Sequence, residues 1–215
     1  DIGLVDIERR HLIYRQDGQL YGDNSDVGGF TADLAACGWT AAAAGGPGAA
    51  RALVLGAGGS ARAVVSALLA AGWRVGIAAR RLEQAQALAV EFGSAERQTA
   101  PGRAEVAALG LTQAEVVAFA AAPLGLIVNT TPVGMAPLAE ASQWPAGVAF
   151  PAAARLYDLV YNTPETALMR AADQAGLPAR GGLGMLVEQA AVAWESWTGL
   201  LADRAAMWQA VAIKE

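Results

Sequence analysis

An apolar run, Ala52-Leu-Val-Leu55, ends in Gly56-Ala-Gly-Gly59, and a small-residue amphipathic stretch from Ser60 to Ala71 follows at once. A strand, a glycine turn and a helix start in this order point to a βαβ unit whose turn sits at a helix N-terminus. Gly56 allows the tight turn, Gly58 lets the backbone approach a pyrophosphate, and Ala61 lets the helix lie close to the strand. The N–H groups and positive dipole end of that helix are suited to phosphate. Gly56, Ala57, Gly58, Gly59 and Ser60 are therefore the expected phosphate-holding segment of a dinucleotide site.

A second apolar run, Trp73-Arg-Val-Gly-Ile-Ala-Ala79, reads as the next parallel strand. A site preferring NAD carries Asp or Glu at the end of this strand, to bond the ribose 2′-hydroxyl. This chain has Arg80-Arg81 there. Two guanidinium forks suit a 2′-phosphate and no acid opposes it, so the pair predicts NADP.

The chain has 215 residues, enough to bury a sizeable core. Its formal net charge of −5 argues against nucleic acid as the main partner. No stretch of 18 apolar residues runs uninterrupted, so no membrane span is expected, and no secretory leader is visible at Asp1-Ile-Gly-Leu. A lone Cys37 excludes an internal disulfide and any multi-cysteine zinc site; no metal is expected. Cys37 reads as a small buried group in a helix, and His11 as a surface residue. The simplest compartment is the cytoplasm.

Along the chain, Asp17-Gly18 lies between short apolar segments and marks a hairpin within residues 1–24. Ser25 or Asp26 is expected to cap a helix running to about Cys37. The Ala- and Gly-rich stretch 40–50 reads as a connector and hinge. Strands are expected at 52–55, 74–79, 124–128 and 156–160, and helices at 82–92, 112–121, 166–175, 184–197 and 203–213. Residues 93–111 give no clear pattern. Alternating strands and helices predict an α/β fold, a doubly wound parallel sheet. Gly56–Gly59, Arg80-Arg81, Asn129–Gly134 and Tyr161 each follow a strand, so they converge on one rim, where such sheets bind ligands.

Taken together the motifs resemble the shikimate dehydrogenase family. Gly22-Asp-Asn-Ser-Asp26 is similar to that family's Gly-x-Asn-Thr-Asp, and Gly56–Ala63 to its Gly-Ala-Gly-Gly-x-x-Arg-Ala. Arg80 matches the arginine of its cofactor segment. Asn129-Thr-Thr-Pro-Val-Gly-Met135, Asp158-Leu-Val-Tyr161-Asn-Thr-Pro164 and Gly182-Leu-Gly-Met-Leu-Val-Glu-Gln189 follow in the family's order. The resemblance implies reversible reduction of 3-dehydroshikimate to shikimate with NADPH, in a cleft between a substrate domain and a Rossmann-like domain. It places Asp26 as the carboxylate that, paired with a lysine, bonds the reacting hydroxyl. It places Asp6, Asp26, Tyr161 and Gln189 on the substrate. It assigns Gly56–Ser60, Arg80, Arg81, Asn129, Leu159 and Gly182 to the cofactor.

The departures carry information too. The only lysine is Lys214, which lies in no matching motif, and Asp6 stands where the family has asparagine. Ala79 and Gln84 also depart from the family's cofactor segment. The chain is read as lacking the bulk of the substrate domain: 1–40 a remnant with its connecting helix, 41–183 the NADP-binding unit, and 184–215 helices returning toward the substrate domain. Trp194, Trp197 and Trp208 are then expected to be core, packed toward that domain. With half of the acid–base pair, these residues are expected to bind NADPH but turn over shikimate little. A quinate or aminoshikimate dehydrogenase and a non-catalytic NADP-binding module remain open alternatives. So does the choice between monomer and homodimer.

Overall fold

The computed structural model describes residues 12–16, 18–46, 48–93 and 106–212. Asp6, His11, Asp17 and Lys214 lie outside the described residues. The chain opens with a hairpin, β1 (Leu12–Gln16) and β2 (Gln19–Asp23), paired antiparallel with Gln16 opposite Gln19. Gly18, between the two strands, takes φ +78°.

The first helix, α1, spans Ser25–Ala36. Its cap is Asn24, whose side chain accepts the Asp26 N–H at 2.9 Å, and not Ser25 or Asp26. Asp26 lies in the first turn instead, where a carboxylate also suits the helix dipole. Cys37 is the C-cap and is half-buried, outside the helix that was expected to hold it. Burial raises its thiol pKa.

The remaining elements are β3 (Arg51–Leu55), α2 (Gly59–Ala70), β4 (Arg74–Ala79), α3 (Leu82–Gly93), β5 (Val106–Gly110), α4 (Gln113–Ala120) and β6 (Leu126–Asn129). After them come β7 (Arg155–Asp158), α5 (Ala167–Gln174), β8 (Ala179–Gly181), α6 (Leu183–Thr198) and α7 (Arg204–Ala212). Strands β3 to β8 form one six-stranded sheet ordered β5-β4-β3-β6-β7-β8, with every pairing parallel. The order reverses direction between β3 and β6, the doubly wound arrangement with its switch point there. Strand β7 starts one residue earlier and ends two earlier than expected, which puts Leu159–Tyr161 in the loop beyond it.

Alternate residues of each strand feed the two faces. Val54, Ile77, Val128 and Tyr157 join Phe30, Leu34, Val64, Leu68, Leu88 and Met185 in one buried cluster, so α1, α2, α3 and α6 cover that face. Leu53, Leu55, Ile127 and Leu156 join Val116, Leu168 and Ala172 under α4 and α5 on the other. Phe30 and Leu34 of α1 sit in the same core as the sheet. The apolar core therefore continues across the expected division at residue 40.

Trp194, Trp197 and Trp208 are 46%, 61% and 36% exposed within this chain. Trp197 donates its indole N–H to the Ile13 carbonyl at 3.1 Å, tying α6 to the hairpin.

Helices α1 and α6 pack antiparallel and close. A Cβ added at Gly29 would lie 2.8 Å from the Gln189 backbone nitrogen and 2.9 Å from the Met185 carbonyl oxygen. At Gly28 it would meet only Val192 side-chain methyls, the nearer at 3.5 Å. Gly29→Ala is expected to lower stability by about 1–3 kcal/mol through overpacking against backbone. Gly28→Ala is expected to hold or raise it, by up to about 1 kcal/mol of helix propensity. Urea denaturation of the two variants reads the difference.

Candidate active site

The turn after β3 is set by crowding as well as by backbone freedom. Gly56 takes φ +113°, and an added Cβ would sit 2.6 Å from Thr130 Oγ1 and 3.1 Å from Thr131 Cγ2. Thr130 is itself fixed, its N–H and its hydroxyl both donating to the Leu55 carbonyl at 2.9 and 2.8 Å. The chain ends of β3 and β6 therefore abut at the switch point. Gly58 is the N-cap of α2 and supplies no side-chain acceptor to the first-turn N–H groups. A Cβ at Gly58 or Gly59 would meet nothing within 4 Å. Packing within the protein does not require glycine at these two positions. They keep the space before the helix clear, as close approach of a phosphate demands. Ala61 is fully buried, as the close approach of α2 to the sheet requires.

Arg80 and Arg81 follow β4 directly and are exposed. Arg62, in the first turn of α2, is instead engaged in an ion pair with Glu91 of α3. Among the described residues, Arg80 and Arg81 are exposed cations at this rim that can face a ligand.

Asn129 is different in kind. It is fully buried, and its side chain points into the protein. Its amide nitrogen donates to Asp158 Oδ1 at 2.7 Å, and its Oδ1 accepts the N–H and hydroxyl of Thr131 at 2.9 and 2.8 Å. Asp158 also accepts the Thr166 hydroxyl at 2.7 Å and the Val160 N–H at 3.1 Å. Burial pushes the Asp158 carboxyl up, while these three donors hold it back toward ionisation. The Asn129 side chain is thus committed to a brace that shapes the loops after β6 and β7.

Leu159 and Gly182 come together at the next strand ends. Gly182 donates its N–H to the Val160 carbonyl at 2.9 Å, and an added Cβ would lie 2.2 Å from the Leu159 carbonyl oxygen. Only glycine fits there. Tyr161 stands on the same loop and is half exposed.

Asp26 and Gln189 lie on the facing helices. Asp26 is one turn before Gly29 on α1, and Gly29 rests against Gln189 of α6. Both side chains are half-buried. Among the described residues no cluster of three His, Cys, Asp or Glu could hold a metal ion.

Sequence reasoning missed the residues that fix these helices to the sheet. Asp33 of α1 is almost fully buried. Arg180 of β8 grips it with two bonds, Nε to Oδ2 at 3.0 Å and Nη2 to Oδ1 at 2.6 Å, and Tyr157 of β7 donates its hydroxyl to Oδ2 at 2.5 Å. The Tyr157 phenol is pushed up, chiefly by burial and then by its bond to Asp33. Gly184 of α6 makes room, since a Cβ there would lie 2.1 Å from Asp33 Oδ1. The signal available in the sequence was an acid on the apolar face of α1, four residues after Gly29, which demands a buried cation.

This frame is that of a dinucleotide-binding α/β unit whose crevice opens beyond the carboxyl ends of β3 and β6. Residues 42–144 match the family model described as shikimate / quinate 5-dehydrogenase, and 182–212 match the shikimate 5'-dehydrogenase C-terminal domain. A shikimate dehydrogenase (NADP(+)) of Salinibacter ruber is 41% identical over 204 residues, covering 94% of this chain and 67% of that protein. The shikimate 5-dehydrogenase of Thermus thermophilus, solved with NADP(H) and shikimate, superimposes with TM-score 0.68 at 34% identity, over 94% of this chain and 66% of that one. A ligand-free 5-ketofructose reductase of Gluconobacter superimposes with TM-score 0.72 at 25% identity, over 94% and 67%. The chain belongs to the shikimate dehydrogenase family. It spans between 60% and 67% of the length of the curated relatives it matches. Among the described residues no helix is long and apolar enough to cross a membrane.

The Asp33–Arg180 pair yields a measurable expectation. Arg180→Gln leaves a buried carboxylate with one hydroxyl donor and should cost about 1–3 kcal/mol, a figure already reduced for the partial exposure of the arginine. A double-mutant cycle with Asp33→Asn should give a coupling energy of about 1–3 kcal/mol. Additive losses in chemical denaturation would show that the two side chains do not act as a pair.

Proposed function

We propose that this chain is the NADP-binding portion, with part of the substrate site, of a shikimate dehydrogenase, interconverting 3-dehydroshikimate and shikimate. One observation carries this reading. The open Gly56–Gly59 turn and exposed Arg80-Arg81 share a fold with α1 and α6, and Gly29, one turn after Asp26 on α1, rests against Gln189 of α6. The residues fit the cofactor. Gly56, Ala57, Gly58, Gly59 and Ser60 would hold the pyrophosphate with backbone N–H groups, and Arg80 and Arg81 the 2′-phosphate. Leu159 and Gly182 would flank the rest of the dinucleotide, with Asn129 acting through the loops it braces. NADP, when bound, supplies the hydride acceptor or donor.

The chain's own residues would do the remaining work. Asp6, Tyr161 and Gln189 would bind and orient the cyclic acid. The Asp26 carboxylate would bond the reacting hydroxyl and hold its proton as the carbon is oxidised. The family's partner lysine stabilises the ionised carboxylate by charge, and the motifs matched in this chain contain no lysine. The lone half-buried cysteine and the nicotinamide chemistry fit a cytoplasmic enzyme working on a small molecule, as monomer or homodimer.

The matched family description covers quinate as well as shikimate, and this supports quinate as the second reading. Relative rates on the two acids decide between them.

Arg80→Ala should weaken NADPH binding by roughly tenfold or more and NADH binding hardly at all. A hydrogen bond to a charged group contributes about 1.5–3 kcal/mol, and only NADPH carries the 2′-phosphate. Equal losses for both cofactors in a fluorescence titration would remove Arg80 from that role.

In the full-length protein, Asp26→Asn should lower kcat for shikimate oxidation by at least about a hundredfold and leave NADPH affinity unchanged. Because Asn24 is the cap, the melting midpoint should stay near wild type. A kcat within a few-fold of wild type would take Asp26 out of the chemistry.

A further inference from the structure

Thr130 is the first residue beyond β6 and Thr131 the second, but their hydroxyls do different things. Thr131 donates to Asn129 Oδ1 at 2.8 Å and accepts the Val133 N–H at 3.3 Å, so it belongs to the brace of the loop after β6. Thr130 reaches across the switch point to β3. Its N–H donates to the Leu55 carbonyl at 2.9 Å, which carries the parallel ladder one residue further. Its hydroxyl donates to the same carbonyl at 2.8 Å, and this bond is one that a ladder does not supply.

The Leu55 carbonyl and the Gly56 N–H belong to one planar peptide unit. The Gly56 N–H donates to the Ala78 carbonyl of β4 at 2.8 Å. The last plane of β3 is therefore held from both neighbouring strands, by β4 at its nitrogen and twice by Thr130 at its oxygen. The chain leaves that plane at once, through the φ of +113° at Gly56. The directions of the N–H groups from Ala57 to Ser60 follow by rotation from it. The ends of structural elements open more readily than their middles, and a second donor on the end carbonyl opposes this. Thr130 Oγ1 also backs the turn directly, since it stands 2.6 Å from where a Cβ on Gly56 would be.

We propose that Thr130 is a positioning residue for the cofactor: its hydroxyl fixes the peptide plane from which the Gly56–Gly59 turn departs, and so presets the turn for a pyrophosphate. This role rests on the reading of that turn as the pyrophosphate site. Affinity then scales with the fraction of the protein that holds the competent turn before the cofactor arrives.

Thr130→Ser and Thr130→Ala differ from each other only in the hydroxyl, and they are compared with the parent protein in two measurements. In a fluorescence titration, Thr130→Ala should weaken NADPH binding about fivefold, the factor of one net hydrogen bond, and Thr130→Ser should bind within twofold of the parent. In the ligand-free protein, the Gly56 amide should exchange with deuterium about fivefold faster in Thr130→Ala and at the parent rate in Thr130→Ser. If Thr130→Ala does not fold, Thr130→Val decides in its place, since it keeps both branches and lacks the donor. Equal NADPH affinity in Thr130→Ala and the parent, or a loss in Thr130→Ser as large as in Thr130→Ala, overturns the proposal. A loss of affinity with unchanged exchange at Gly56 also overturns it, because the hydroxyl would then act as a direct ligand contact. A parent protein that binds no NADPH overturns the cofactor reading of the turn and this role with it. That failure is told apart by the exchange difference at Gly56, which needs no ligand and would persist.

Discussion

The buried ion pair between Asp33 and Arg180 is the interaction on which the rest of this arrangement depends. A carboxylate on the inner face of α1 can remain there only if a cation and a hydroxyl reach it. Arg180 comes from the last strand of the sheet and Tyr157 from its neighbour, so one side chain of α1 is tied to two strands at once. Gly184 leaves the space that the carboxylate occupies. The pair thereby sets the distance of α1 from α6 as well as from the sheet. Asp26 and Gln189 sit further along this same helix contact, so their placement relative to the strand ends follows from a pair that touches neither.

A second polar cluster does for the loops what this pair does for the helices. Asn129 and Asp158 end adjacent strands in register, and their side chains bond each other across the gap. Thr166 joins them and, through its hydroxyl, also caps α5 at the Met169 N–H. One network therefore fixes the course of the chain after β6, after β7 and into α5. Such clusters are costly when half satisfied and rigid when complete. Here Asn129, Val160 and Thr166 all donate to Asp158, which suits a carboxylate and would be mismatched by an amide.

Much of the frame is legible in the sequence, and the exceptions have physical causes. Strands β3, β4 and β6 are runs of apolar residues, because a parallel strand covered on both faces needs no alternation. The turns at Gly18 and Gly56 are legible since few other residues accept such backbones. Strand β5 is not, because three of the five residues of Val106-Ala-Ala-Leu-Gly110 are alanine or glycine and it sits at the edge of the sheet. Strand β8 is three residues without a β-branched side chain, and it exists by pairing with β7. The cap of α1 falls on Asn24, since three capping residues stand in a row and propensity alone does not choose among them. What covers Trp194 and Trp197 is not legible for a related reason: size and hydrophobicity indicate a preference for burial, and the surfaces that could cover these rings are not encoded locally.

The candidate site shows where a motif stops being informative. Asn129 and Arg80 each fall near the carboxyl end of a parallel strand and within a segment that resembles a known pattern, but Asn129 is the last residue of β6, level with Leu55, whereas Arg80 lies just beyond β4, whose Ala78 is the residue level with Leu55. The first turns inward, fully buried, and spends its hydrogen bonds on Asp158 and Thr131. The second faces outward. Position along the strand is thus one difference, since Arg80 lies two residues further out than Asn129. A second lies in what the neighbouring strand presents. Asp158 opposite Asn129 offers a buried acceptor at hydrogen-bond distance, whereas Leu109 is the β5 residue opposite Ala78, and Gly110, opposite Ala79, has no side chain to offer. A polar residue at a strand end is drawn inward when the next strand supplies a partner, and it is left to solvent and ligand when the next strand does not.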